Sequence, residues 1–569
     1  MNGIGVSPGI AVGQVYIKKD EVRINKYSIN NVEAEISRFQ EALIASRDQI
    51  RELAESAKGV VGEEEAKIFT THLSMLDDPE YLGHVPDKIK NCGINAEWAV
   101  KEATDHLVNL FKKMDSSYLR EREADLRDIG NRIINNLLGM QAQNYADLTE
   151  HAIIIAGDLL PSDMVHMPKD KVLGFITEKG SSTSHTAIMA RTLELPAIVG
   201  TKNVMGLVKE GDMMVMDGDR GEFIINPPKH TLAAFQERKT KFDAVKKEER
   251  ALIGCRTVSQ DGYQVEVGCN IGSPEDLPYV LQNDGEGIGL YRSEIIYMHS
   301  PSLPTENEQF EAYKAVLEGM QGKPVIIRTL DIGGDKDIPY LNLPKENNPF
   351  LGLRGIRYCL AEKKILMTQL RALLRAGCFG LLKIMFPMIS SVHEVRAAKK
   401  ALDEAKEELK EEGLAYNENI EVGIMIEVPA AALLADKLAL EVDFFSIGMN
   451  DLIQYTLAVD RMNETIAPLY TPFHPALLRL VKMIIDRGHE AGIKVAMCGE
   501  AARDANLIPV LLGMGLDEFS VNPSSVLATR KIINSLNKQE MSKHLDKILD
   551  FPDSESVLKY IQENIVMKQ

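Results

Sequence analysis

The 569-residue chain is 45% hydrophobic and 26% charged, the profile of a soluble globular protein of roughly two to four domains. Its formal charge of −18 argues against nucleic acid or an acidic membrane as the main partner. No apolar run reaches the length of a membrane span, and the start MNGIGVSPGI lacks the basic head and apolar core of a secretion signal. The six cysteines are scattered with no CxxC pair, so a reducing cytoplasm is the expected home.

Residues 1–20 alternate Gly, Pro and β-branched residues and read as strand. From Asn30 the texture changes: Val32, Ile36, Phe39, Leu43, Ile50 and Leu53 recur at helical spacing, and Asn30 with Glu33 reads as a capping box. Further helical patterns lie at 63–76, 95–111 and 118–138, so residues 21–145 form a helical insertion. Strand patterns return from His151 (AIIIAGDLL, KVLGFITEKG, PAIVG, DMMVMDGDRGEFIINP), giving an α/β module of residues 1–20 plus 146–228. Inside it, GSSTSHTAIMARTLELPAIVG (180–200) sets His185 at the first turn of a helix, behind hydroxyl residues. A helix N-terminus offers free N–H groups and partial positive charge, which suit a phosphate. A capping turn with an incidental histidine fits the same letters. Residues 229–258 carry a thin apolar stripe (Leu232, Phe235, Phe242, Val245, Leu252) among charges, as a solvated connecting helix would.

Eight strand-like runs follow in residues 259–569: QVEVGCNI, GIGLY, PVIIRTLDI, LLKIMFPM, EVGIMIEV, DFFSIG, KVAMC and EFSV. Helical segments separate most of them, which matches a (β/α)8 TIM barrel. Five runs end on Arg292, Arg328, Glu427, the pair Asn450-Asp451, and Cys498, and a barrel gathers strand C-termini on one rim. Two carboxylates, Glu427 and Asp451, suit Mg²⁺ or a general acid and base. Asn450 and the nearby Arg461 favour the metal. Arg292 and Arg328 suit a phosphate or carboxylate. Lys336, in the Gly-rich DIGGDK, could approach a phosphate. Cys498 is a buried, inert thiol or a proton donor or nucleophile of the rim. Phosphoryl transfer from a small metal-bound phospho-acid to His185 is the economical reaction.

As a set, GSSTSHTAIMARTLELPAIVG, GIGLYRSE, RTLDIGGDK, NPFLGLRGIR, FFSIGMNDLIQYTLAVDR, MCGE and LLGMGLDEFS closely resemble motifs of the enzyme I family of the bacterial sugar phosphotransferase system. The resemblance runs along the whole chain, SSYLREREADLRDIGNRI in the helical insertion included. It implies a multidomain α/β fold. A phosphohistidine swivel domain is interrupted by a helical bundle that docks the carrier protein HPr. A connecting helix leads to a TIM barrel that binds phosphoenolpyruvate and pairs as a homodimer. It implies Mg²⁺, with Mn²⁺ an alternative, on Glu427 and Asp451. Arg292 and Arg328 would hold the phosphate with help from Arg354 and Lys336, and Asn450 and Arg461 would position the substrate. His185 would take the phosphoryl group, and Cys498 would protonate the departing enolate. No nucleic acid partner and no membrane insertion are implied.

The sequence departs from the family pattern at Ser181, Ser182, Met164, Met449 and Arg503, where glycine, arginine, threonine, threonine and glycine are common. None removes a reacting group; together they imply an active enzyme with an altered equilibrium at the histidine. A dikinase or synthase that makes phosphoenolpyruvate would need a Gly-rich nucleotide loop, which residues 1–150 lack. A phospho-carrier regulator with impaired transfer would have lost His185, Glu427, Asp451 or Cys498, and all are present.

Overall fold

The structure is a computed structural model that describes all residues except 19–23, 61–62, 78, 113–116, 141–144, 146–147, 149, 169, 182–184, 301, 335–337, 342, 462, 464 and 566–569. Its contacts divide the chain into two units, Met1–Lys246 and Lys247–Gln569. Among the described residues no helix is long and apolar enough to cross a membrane.

The first unit holds one sheet built from β1 (Ile4–Ser7), β2 (Ile10–Ile17), β3 (Ala152–Ala156), β4 (Val172–Thr177), β5 (Ala197–Val199), β6 (Met213–Asp217) and β7 (Glu222–Ile225), in the order β1-β5-β4-β3-β2-β6-β7. Strands β2 to β5 pair in parallel, and β1, β6 and β7 are antiparallel additions at the edges. The run AIIIA of β3 is buried along its whole length, as a strand covered on both faces requires.

Between β2 and β3 the chain forms α1 (Val32–Val60), α2 (Glu63–Leu76), α3 (Pro79–Cys92), α4 (Ala96–Lys112) and α5 (Ser117–Leu137). The cap of α1 is Asn31 rather than Asn30: its Oδ1 accepts the Ala34 N–H at 3.0 Å, and with alanine at the third helical position no side chain can close the expected capping box. Helix α3 was not expected, because Gly83 and Pro86 interrupt its pattern. A proline inside a helix costs about 3 kcal/mol, yet Val85 and Ile89 are fully buried and hold α3 by packing. A charged knot joins three helices. Arg38 of α1 donates to Glu35 at 2.8 and 2.9 Å, to Glu97 of α4 at 2.6 Å, and to the Leu137 carbonyl ending α5 at 3.0 Å.

Two short helices cross over the sheet, α6 (Pro161–His166) between β3 and β4, and α7 (His185–Thr192) between β4 and β5. Helix α5 is tied to α6 through Asp128, which accepts from the Ser162 hydroxyl at 2.8 Å. Helix α8 (Lys229–Arg250) lies where the thin apolar stripe predicts a solvated connecting helix. Its beginning instead grips the sheet: Phe235 is buried, Arg238 stacks on that ring at 4.8 Å, and the same guanidinium pairs with Asp217 at the end of β6.

The second unit is a closed parallel barrel of β8 (Glu266–Ile271), β9 (Gly287–Arg292), β10 (Val325–Arg328), β11 (Leu382–Phe386), β12 (Glu421–Ile426), β13 (Phe444–Gly448), β14 (Lys494–Cys498) and β15 (Glu518–Val521). Seven of the eight expected runs contain one of these strands, and GIGLY stops one residue short of the end of β9 at Arg292. Inside, Leu290, Ile326, Met385, Met425, Phe444 and Cys498 pack into one cluster, so the barrel is filled rather than hollow. The larger core includes Ile327, Ile384, Ile424 and Ile447 from the strands together with Leu373, Val395 and Leu477 from the surrounding helices.

At the mouth formed by strand N-termini, burial and the neighbouring charge of Glu266 push the Glu518 carboxyl up to about 7, against the opposing pull of Lys383 and Lys494. Between its unfolded value near 4.5 and about 7, the folded barrel therefore holds a proton that the unfolded chain has released. Stability from this group should fall as pH rises through that window. Thermal melts across it should slope downward for the wild type, and Glu518→Gln should flatten the slope; an unchanged slope would show that other groups set it.

Candidate active site

The strands position the rim residues pairwise. Arg292 and Arg328 end the adjacent strands β9 and β10 and stand opposite each other in register. Arg292 is exposed and Arg328 buried. A buried polar network fixes this pair of strand ends. Ser293 Oγ donates to the Arg328 carbonyl at 2.6 Å, and Gln369 Nε2 donates to Ser293 Oγ at 2.9 Å and to the Tyr313 hydroxyl at 3.0 Å. Gln369 Oε1 in turn accepts the Leu330 N–H at 2.9 Å.

A buried guanidinium needs fixed anions, since an unpaired charge is costly out of water. Among the described residues Arg328 has two: Glu294 Oε1 at 2.5 Å and Asp331 Oδ2 at 3.0 Å. Arg354 lies in the loop before the helix Ile356–Ala361, only 2% exposed. It donates Nε and Nη2 to the two oxygens of Asp331, both at 3.1 Å. Its Nη1 and Nη2 also reach the two oxygens of Asp451, at 2.8 and 3.0 Å, and Nη1 meets the Tyr455 hydroxyl at 3.1 Å.

Glu427 follows β12, and Asp451 sits in the first turn of the helix Met449–Leu457 that follows β13, the neighbouring strand. Asp451 thus lies beyond its strand end, where the helix dipole favours an anion. Glu427 is 1% exposed, and one oxygen accepts the Met388 N–H at 2.6 Å. Met388 holds a positive φ of 58°, a strained backbone that aims this donor. Burial and the charges of Asp451 and Asp331 push the Glu427 carboxyl up to about 8, although Arg354 and Arg328 pull the other way. Close approach dictates Gly448: a Cβ there would lie 2.8 Å from both Cβ and Oε2 of Glu427.

These carboxylates fit a divalent cation by their chemistry. Among the described residues no group of three or more His, Cys, Asp and Glu is arranged to hold a metal. Two carboxylates leave positions for water and substrate oxygens, which is the habit of Mg²⁺. The raised Glu427 carboxyl marks a place where negative charge is crowded and a cation would relieve it.

Asn450 lies beside them, and its carbonyl accepts the Tyr470 hydroxyl at 3.0 Å. Arg461 and Arg354 both contact the Phe350 ring, at 5.7 and 5.8 Å from its centroid. Cys498 ends β14, buried. Its thiol is pushed up to about 11 by burial, with Arg328 and Arg292 pulling it down and Glu427 pushing it up. It therefore stays protonated at neutral pH, as a proton donor must.

Arg292, Arg328, Arg354, Glu427, Asn450, Asp451, Arg461 and Cys498 all belong to this rim. Lys336 lies outside the described residues. Asp331, Glu294 and Tyr455 were not singled out from the sequence. For Asp331 the signal was available, since it follows the buried strand-end Arg328 by three residues; Glu294 follows the exposed Arg292 by two but pairs with Arg328, 34 residues on.

In the first unit His185 opens α7, at the C-terminal edge of the parallel strands, where α/β sheets bind ligands. Residues Ser182 to Ser184 before it lie outside the described residues. Thr186 Oγ1 ties the first turn to the Leu159 carbonyl at 2.8 Å. Gly180 has φ of 115°, which turns the chain out of β4 toward the helix. Of the departures from the family pattern, Met164 is fully buried in the core that includes Ala187, Met189 and Ala190 of α7. Met449 is likewise buried in the barrel core, and Arg503 pairs at the surface with Glu500 at 2.6 Å.

Three family models together match most of the chain. The PEP-utilising enzyme N-terminal model matches residues 2–122, the mobile domain 148–221, and the PEP-binding domain 246–538. The first two fall on the unit that carries His185 and the third on the barrel with the charged rim. Among curated relatives, the phosphoenolpyruvate-protein phosphotransferase of Bacillus subtilis (strain 168) is 49% identical over 564 residues, 99% of each chain. That of Priestia megaterium is 48% identical over 563 residues, 99% of this chain and 98% of the relative. The chain is thus a PEP-utilising enzyme in fold and family. Within that class the chain belongs to the phosphoenolpyruvate-protein phosphotransferase family, the enzyme I family.

Two outcomes follow from the geometry. Iodoacetamide at pH 8 should label the exposed Cys92, Cys255 and Cys378 in the folded protein and spare Cys498; rapid labelling of Cys498 in peptide mass spectra would contradict its burial. Gly448→Ala should displace Glu427 and weaken Mn²⁺ binding by about tenfold, read by electron paramagnetic resonance; wild-type affinity would show that the close approach has no bearing on a cation.

Proposed function

We propose that this protein is a phosphoenolpyruvate–protein phosphotransferase that moves the phosphoryl group of phosphoenolpyruvate to its own His185 and then to the carrier protein HPr, opening a sugar phosphotransferase system. The observation that carries the reading is the rim itself. Two arginines stand in register beside two buried carboxylates and a protonated thiol, in a chain about half identical to named phosphotransferases along its length.

Phosphoryl transfer asks for charge neutralisation and positioning. Arg292 and Arg328 would bind the phosphate oxygens, with Arg354 behind them and Lys336 assisting. Glu427 and Asp451 would hold Mg²⁺ or Mn²⁺, which supplies a Lewis acid for the substrate's oxygens when bound. Asn450 and Arg461 would orient the substrate. His185 attacks phosphorus as a neutral imidazole, and the phosphorus–oxygen bond to the enolate breaks. Cys498 gives its proton to the enolate carbon, leaving pyruvate and a thiolate that regains a proton from solvent. A helix N-terminus would favour a neutral imidazole over the imidazolium and then a phosphate.

The α/β module of residues 1–20 plus 146–228 would be the phosphohistidine swivel domain, and 21–145 the HPr dock. Residues 229–258 would be the linker, and the barrel of 259–569 would also mediate homodimerisation. A cytoplasmic protein suits the composition.

Incubation with phosphoenolpyruvate and Mg²⁺ followed by intact-mass analysis should show one added phosphoryl group, acid-labile, base-stable and absent from His185→Ala. A folded protein that binds phosphoenolpyruvate yet stays unmodified would overturn the reading in favour of a phospho-carrier regulator with impaired transfer.

A further inference from the structure

Among the described residues Asp331 touches both buried guanidiniums of the rim. Arg328 reaches it at 3.0 Å and Arg354 grips both its oxygens at 3.1 Å, while the same Arg354 grips both oxygens of Asp451 at 2.8 and 3.0 Å. The residue is fully buried, so these ion pairs act with little screening. Arg354 is therefore divided between two anions. Whatever fraction of its charge goes to Asp331 is withheld from Asp451.

We propose that Asp331 is a positioning residue that keeps Asp451 available to a divalent cation by competing for Arg354, and that it holds Arg328 toward the phosphate through its other contact. The inference rests on the phosphotransferase reading. Its physical content is a competition with a definite sign. Without the negative charge of Asp331, Arg354 would pair wholly with Asp451 and neutralise it, so a cation would bind less well. With a single-point donor in place of the forked guanidinium, Asp451 would be released, and a cation would bind better. Glu294 pairs with Arg328 through Nη2, so its neutralisation tests the Arg328 contact separately from Arg354.

The test uses the full chain in a His185→Ala background, so that phosphoenolpyruvate binds without turnover. Mn²⁺ is titrated by electron paramagnetic resonance at saturating phosphoenolpyruvate. Asp331→Asn should raise the Mn²⁺ dissociation constant about tenfold, in the range seen when a group behind a ligand is lost. Asp331→Glu should recover most of it, and Arg354→Lys should shift it severalfold the other way. Glu294→Gln should weaken phosphoenolpyruvate binding and leave Mn²⁺ affinity unchanged. A merely structural Asp331 would give the same loss in both Asp331→Asn and Arg354→Lys, and that result, or an unshifted Mn²⁺ affinity in Asp331→Asn, overturns the proposal. If Asp331→Asn does not fold, the direction of the Arg354→Lys shift decides alone. Failure of the His185→Ala parent to bind Mn²⁺ and phosphoenolpyruvate together would sink the phosphotransferase reading, and the proposal with it.

Discussion

Charge held out of water is the constraint on which the barrel rim depends. Arg328 and Arg354 are nearly inaccessible, and so are Asp331, Glu427 and Asp451. Buried ion pairs of this kind contribute little net stability compared with apolar side chains of the same size, because desolvation cancels most of the attraction. Their merit is rigidity. Each guanidinium is held by more than one partner, so a phosphate bound as proposed would meet donors that need no reorganisation.

The rest of the barrel serves that arrangement. Register between β9 and β10 sets the two arginines side by side, and pairing of β12 with β13 brings Glu427 beside the helix that carries Asp451. The Ser293, Gln369 and Tyr313 network locks the strand ends from below, and the apolar interior, ending at Cys498, seals the site from the far mouth. The thiol's high proton affinity has the same origin as the crowded state of Glu427: both lie where water does not reach.

Much of this was legible in the letters. All eight barrel strands announced themselves as apolar runs, because a parallel strand buried on both faces has no polar alternation to blur it. Reactive residues followed directly after those runs, so Arg292, Arg328, Glu427 and Cys498 could be named from position. What was hidden depended on contacts between distant segments. Nothing local says that Arg354 reaches both Asp331 and Asp451, or that Met388 aims its N–H at Glu427. Helix α3 was hidden for a different reason: its proline and glycine contradict the helix locally, and only the burial of Val85 and Ile89 overrules them. The clamp of Phe235 and Arg238 on α8 escaped because a thin stripe among charges looks solvated until its one buried ring is seen.

The five helices that separate β2 from β3 have a consequence for how the first unit folds. Gln14 pairs with Ala152 and Tyr16 with Ile154, so neighbouring strands at the centre of the sheet meet only after a long stretch of chain has been brought back on itself. Loop-closure entropy grows slowly with length, so the detour costs little at equilibrium. Kinetically it matters more, because such distant pairing forms late unless the intervening chain has already shortened. The helical bundle buries Phe39, Ile50, Phe69, Val100 and Ile133 in a core it shares with one face of the sheet, and the Arg38 knot fastens the start of α4 and the end of α5 to α1, so its shorter-range contacts can gather before the strands pair. Its assembly would draw β2 and β3 within reach, making the insertion a folding scaffold for the sheet it interrupts.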